Sequence, residues 1–146
     1  MAEKNALEIK RQIDATPEEV FDAWTDAKSV EEWLFSGIVE RTSAKIDPRV
    51  GGHFEIDMIT GSRHIPHHGE YLKMDRPRLL EFTWISEHTN NQSSVVTIEL
   101  KPDGGGTMLT LRHRMLPDET STRSHEKGWG SILDKIAERF QAHAMK

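Results

Sequence analysis

The sequence predicts an α+β fold in which a curved antiparallel sheet wraps around one long C-terminal helix. Three observations carry this. From Gly51 to His113, apolar residues recur with period two in runs broken by short turns, the pattern of half-buried antiparallel strands. From about Asp118 the period becomes 3.6: Trp129, Ile132, Leu133, Ile136 and Phe140 fall on one stripe that continues to about His143. Between the first strand and the long run of strands, two short helical segments intervene. A sheet with one apolar face and a helix with one apolar stripe bury each other, which gives two layers around one core.

The elements follow in order. Leu7, Ile9 and Ile13 alternate with polar residues, with Arg11 on the same parity, and read as a strand. Thr16-Pro17-Glu18-Glu19 is a helix start: Thr16 caps, Pro17 fits the first turn, and Glu19 reaches back to close a capping box. Val20, Phe21, Ala23 and Trp24 then follow at helical spacing. Asp26 or Ser29 caps a second short helix that ends near Trp33. Period two begins after Pro48. Gly51-Gly52 bends the chain into Phe54, Ile56 and Met58, and Thr60-Gly61-Ser62 turns it into a strand over His64–Met74. Parity in that strand is open, because Glu70, Leu72 and Met74 share one face while Gly69 and Tyr71 share the other. A bulge near Gly69 would let both sets contribute inward. Leu80, Phe82 and Trp84 alternate next. After the polar loop His88–Ser93 come Val96, Ile98 and Leu100, and Pro102-Asp103-Gly104-Gly105-Gly106 closes a hairpin onto Leu109, Leu111 and His113.

Composition narrows the function. The chain has 146 residues, the length of one domain spanning 1–146, and no cysteine, so disulfides and thiolate chemistry are excluded. The net charge is −5, which argues against non-specific binding to nucleic acid or to an anionic membrane surface. No stretch is apolar enough to span a membrane, and Met1–Ala6 lacks the apolar core of a secretory signal, so a cytoplasmic location is the default expectation. Gly104-Gly105-Gly106 is a hairpin run and not a phosphate loop, and no GxSxG elbow occurs.

Large rings then point to a cavity. Phe54, Met58, Tyr71, Phe82, Trp84, His113 and Trp129 fall on inward positions, with Glu70 held beside Tyr71 as a further lining residue. Apolar walls with a few polar groups compose a small-molecule site, and the same residues also serve as plain core. His113 shares a face with Leu109 and Leu111. A half-buried imidazole there binds a polar ligand group, acts as general base, or is a core histidine held by its neighbours; His125 and Glu126 belong to the same neighbourhood. Gly128, costly inside a helix, marks a close approach, a kink, or space beside Trp129. His64, His67 and His68 lack metal spacing: on a strand 64 and 68 share a face and 67 points away. His53, Glu55 and Asp57 share a face of the neighbouring strand within reach of His68 across the ladder; a solvated outer face outweighs a metal site there, so neither a metal nor a cofactor is expected.

Several stretches, in order, resemble a known family. They are Ala15–Asp26, Gly51–Met58, Gly69-Glu70-Tyr71, Pro77–Trp84, Leu111-Arg112-His113, Leu116-Pro117-Asp118, His125–Trp129 and Leu133-Asp134-Lys135, spread over roughly residues 7 to 143. The chain resembles the family related to the activator of the heat-shock-protein-90 ATPase (AHSA-like), of the START-like, Bet v 1-like (SRPBCC) superfamily. The resemblance implies a helix-grip fold with a cavity between sheet and helix. Relatives of that superfamily include lipid and hormone binders, aromatase and cyclase enzymes, self-sacrificing resistance proteins and a co-chaperone module, so fold does not decide activity. The leading expectation is binding of a small apolar or amphipathic ligand, with no catalytic residue assigned. The alternatives are a chaperone-associated interaction module and a cyclase-, aromatase- or hydrolase-type enzyme using His113 or Glu70 in the same cavity. A homodimer is left open.

Overall fold

The computed structural model describes residues 5–34 and 39–144, the last three as helical backbone only. Residues 1–4, part of the stretch read for a signal, lie outside the described residues. The elements are β1 (Leu7–Ile13), α1 (Pro17–Thr25), α2 (Ala27–Trp33), β2 (Arg41–Ile46), β3 (His53–Thr60), β4 (Arg63–Asp75), β5 (Leu79–Trp84), a 3-10 turn (Glu87–Thr89), β6 (Ser94–Asp103), β7 (Gly106–Arg114) and α3 (Glu119–Ala144). The seven strands form one antiparallel sheet in the order β1-β7-β6-β5-β4-β3-β2. Every strand from β2 to β7 pairs with its sequence neighbour. β1 closes onto β7, which leaves the two helices to cross the concave side between β1 and β2.

Local chemistry explains the boundaries. Thr16 and Glu19 make the reciprocal capping box at the start of α1. Asp26 caps α2 by accepting from the Ser29 amide at 2.9 Å, which settles the choice between the two candidate caps. Gly104 and Gly105 adopt positive φ of 56° and 88° and form a two-residue hairpin between β6 and β7. Gly69 is required by a close approach: a Cβ there would sit 1.9 Å from the Thr83 carbonyl oxygen and 2.8 Å from the Phe54 ring.

The long helix lies where its stripe predicts. Trp129, Ile132, Leu133 and Ile136 are buried and Phe140 is half-buried against the core. Polar ties hold α3 along its length, among them Ser121 Oγ donating to the His88 carbonyl at 2.6 Å, Arg11 of β1 meeting Asp134 at 2.8 Å, and Arg139 meeting Glu32 of α2 at 2.6 Å.

Two expectations are corrected. Period two begins before Pro48, since β2 occupies Arg41–Ile46. Its inward positions are Thr42, Ala44 and Ile46, too weakly apolar to announce a strand. As an edge strand it is covered partly by α2, where Glu31 accepts from the Ala44 amide at 2.9 Å. The irregularity in β4 lies between Tyr71 and Lys73, not near Gly69. Inward parity therefore runs His67, Gly69, Tyr71, and Glu70 turns outward. Among the described residues, no helix is long and apolar enough to cross a membrane.

Candidate functional site

The space between sheet and helix is divided in two. Its centre is almost filled by rings. Phe54, Tyr71, Phe82 and Trp84 from the sheet meet Trp24 of α1 and Trp129 of α3, with centroids 5–6 Å apart where rings touch. The chamber left among them measures about 20 Å³, the space of a single water. Beside it, toward the N-terminal half of α3, lies an open pocket of about 150 Å³. Met58, Trp84, Trp129 and Ile132 supply its apolar wall, His67 and His125 its polar points, and the exposed His88 and Ser124 its rim. Gly128 is also part of the lining, and a Cβ built on it meets nothing within 4 Å. A close approach at Gly128 is thereby excluded, and the structure has space beside Trp129.

His113 is fully buried, at 0% exposure, and lies behind Trp129 outside that lining. Trp129 Nε1–H donates to its Nδ1 at 3.0 Å. Its Nε2 therefore carries the proton and donates to Ser94 Oγ at 2.7 Å, and Ser94 Oγ–H donates on to the Trp84 carbonyl at 2.6 Å. Every donor and acceptor in this chain is used. Burial, with the neighbouring His125 ring adding to it, pushes the His113 imidazole down to about 3. A neutral ring whose lone pair is occupied by an indole N–H is not a general base, so the acid–base role considered for His113 falls. Glu70 falls with it. Its side chain is 47% exposed on the opposite face, 3.7 Å from His53 Nε2. Glu126 is exposed as well.

The other residues singled out in the sequence separate by place. Met58, Trp84 and Trp129 line the open pocket, while Phe54, Tyr71 and Phe82 line the central chamber together with the two tryptophans. On the outer face Glu55 stands opposite His68 in register, and His64 Nδ1 lies 2.6 Å from Asp57 Oδ2. Among the described residues no three histidine or acidic side chains converge as a metal site.

The pocket histidines come from unexpected places. His67 is the inward member of its trio. Its Nδ1 lies 3.1 Å from the Ile65 carbonyl, its ring is tilted against Trp84, and burial lowers it to about 4 despite the Ile56 and Ile65 carbonyls. His125 extends the apolar stripe of α3 by one turn. Its Nδ1 donates to the Ser121 carbonyl at 2.8 Å, and its ring stands edge-on to His113 with centroids 4.9 Å apart. Burial also lowers His125, against the pull of the Ser121 carbonyl, and charge on His88 opposes its protonation further. Tyr71 parity would have revealed His67, and the i, i+4 step from His125 to Trp129 would have revealed His125. His88 has no such signal, because it stands in an irregular turn.

The comparisons with known proteins agree with this architecture. A protein from Chromobacterium violaceum, CV1439, superposes with a TM-score of 0.81 at 23% identity, over 93% of this chain and 96% of that one. CalU16 from Micromonospora echinospora gives 0.72 at 26% identity, over 96% and 78%. PFC0360w from Plasmodium falciparum, described as an HSP90 activator, gives 0.72 at 26% identity, over 90% and 92%. No curated protein matches the sequence. The family model for Activator of Hsp90 ATPase homolog 1-like protein matches residues 14–141, nearly the whole sequence, and the sheet gripping a C-terminal helix is the fold of these relatives. The chain belongs to the Activator of Hsp90 ATPase homolog 1-like family and has its START-like, helix-grip fold.

Proposed function

We propose that the chain acts as a single domain that binds a small, ring-sized ligand in the pocket between β3–β5 and the N-terminal half of α3. The observation that carries this is the space beside Gly128, walled by Met58, Trp84, Trp129 and Ile132 and open at His88 and Ser124. Its volume of about 150 Å³ matches a cavity that holds benzene and falls below the 300–1,000 Å³ usual for larger ligands. The filled ring cluster beyond it supports the same size limit. Lipids and polycyclic compounds would need Trp84 or Trp129 to move.

The test is titration of the protein with benzene-sized compounds beside the variant Gly128→Leu. The wild type is expected to bind them and Gly128→Leu to lose binding while keeping its melting temperature. Equal binding by both proteins, or none by either, overturns the reading.

Family membership and the likeness to the Plasmodium falciparum HSP90 activator favour a second reading, association with an Hsp90-type chaperone. Its measure is the ATPase rate of a purified chaperone with and without this protein. Stimulation that survives Gly128→Leu would place function on the surface and not in the pocket.

A further inference from the structure

The polar points of the pocket limit what a ligand must offer. His125 is 9% exposed, and its ring lines the pocket. Its Nδ1 faces the Ser121 carbonyl at 2.8 Å, and a carbonyl can only accept. The proton is therefore on Nδ1. The second contact of that nitrogen, Ser121 Oγ at 3.4 Å, agrees, because this hydroxyl gives its own proton to the His88 carbonyl. Nε2 is left as a lone pair, with no hydrogen-bond partner among the described residues. The neighbouring ring of His113 does not reverse this. His113, edge-on to His125, already uses both of its nitrogens on Trp129 and Ser94. The rest of the lining is chiefly apolar, and no lysine, arginine, aspartate or glutamate belongs to it.

We propose, resting on the pocket reading above, that the site selects a neutral ring bearing one hydrogen-bond donor, a phenol or an N–H azole, whose donor meets Nε2 of His125. The ring lies against Trp84, Trp129, Ile132 and Met58. A purely apolar ring of the same size would strip Nε2 of water and leave a buried acceptor unpaired, which counts against it. A carboxylate would bring a negative charge and no donor for Nε2, with no lysine or arginine among the described lining residues to meet it. Low basicity of the buried His125 is consistent with this, since the imidazole stays neutral and accepting.

The experiment compares phenol, toluene and benzoate by calorimetric titration at neutral pH, with the ¹⁵N resonance of His125 Nε2 followed in parallel. Phenol is expected to bind roughly three- to tenfold more tightly than toluene, and benzoate most weakly. Phenol, and not toluene, should shift the Nε2 resonance. In His125→Phe, which keeps a ring and removes the acceptor, the phenol preference should vanish while toluene still binds. The wild-type comparison needs no variant, so a poorly folding His125→Phe does not protect the proposal. Equal affinities for phenol and toluene, or tightest binding of benzoate, overturn the donor rule while leaving the pocket reading intact. Binding of none of the three overturns both.

Discussion

At the scale of single residues, the pocket and the core treat histidine in opposite ways. His113 is held by Trp129 on one side and by Ser94 on the other, and Ser94 is held by Trp84. Replacing it with Phe leaves the Trp129 indole N–H without an acceptor in the core. The expected loss is about 2–3 kcal/mol in the denaturant midpoint, with ring-ligand affinity changed little. A His113→Phe protein as stable as wild type would show that this chain does not hold Trp129. The same residue gives a pH dependence. Its pKa is about 6.5 in the unfolded chain and about 3 in the folded one, so the unfolded chain takes up the proton first as pH falls. Its contribution is thus complete above pH 6.5 and drains away below. Between pH 7 and pH 5 the loss is about 2 kcal/mol from His113 alone. His67, lowered to about 4, adds in the same direction. Urea unfolding at the two pH values measures this. In His113→Phe the slope should be shallower, and an unchanged slope would assign the acid sensitivity elsewhere.

At the scale of elements, two glycines divide by what surrounds them. Gly128 lies within α3 facing open space, so Gly128→Ala should stabilise the protein by up to about 1 kcal/mol, through helix propensity. Gly69 in β4 lies beneath the Phe54 ring and against the Thr83 carbonyl, so Gly69→Ala should cost several kcal/mol or prevent folding. Thermal melts of the pair decide it; a destabilising Gly128→Ala would mean the pocket is not there to receive a methyl group. This contrast also marks what was legible in the sequence. Strong periods gave β1, β3, β5–β7 and the whole of α3, because each buries a continuous apolar face. β2 was not legible, because an edge strand with Thr42 and Ala44 inward carries little apolar signal. The wall of the pocket could be read from Met58, Trp84, Trp129 and Gly128. Of its polar points, His125 follows from its i, i+4 step to Trp129, and His67 follows from the parity of Tyr71 only once the β4 irregularity is placed beyond Tyr71; His88 gave no signal, because it reaches the rim from a turn that obeys no period.

At the scale of the whole molecule, the ring cluster sets how much of the interior a ligand can use. Trp84 and Trp129 line both the open pocket and the central chamber, so they form the partition between them. Trp129 is fixed by its bond to His113 and Trp84 by four rings among the described residues: His67 at 4.9 Å, Trp129 at 5.1 Å, Phe54 at 6.0 Å and Phe82 at 6.2 Å. Removing Trp84 should join the two spaces. Trp84→Ala is expected to cost about 3–5 kcal/mol, the usual loss for deleting a large buried ring. At a temperature well below its melting point the variant should accept two-ring compounds such as naphthalene that the wild type excludes. A competition titration of naphthalene against a benzene-sized ligand reads the change in size limit directly. If wild type already takes naphthalene, the partition yields to ligands and the interior is a deformable cavity. If Trp84→Ala folds and still excludes naphthalene, the surrounding rings have collapsed into the vacated space, and the size limit belongs to the packing of the whole cluster and not to one side chain.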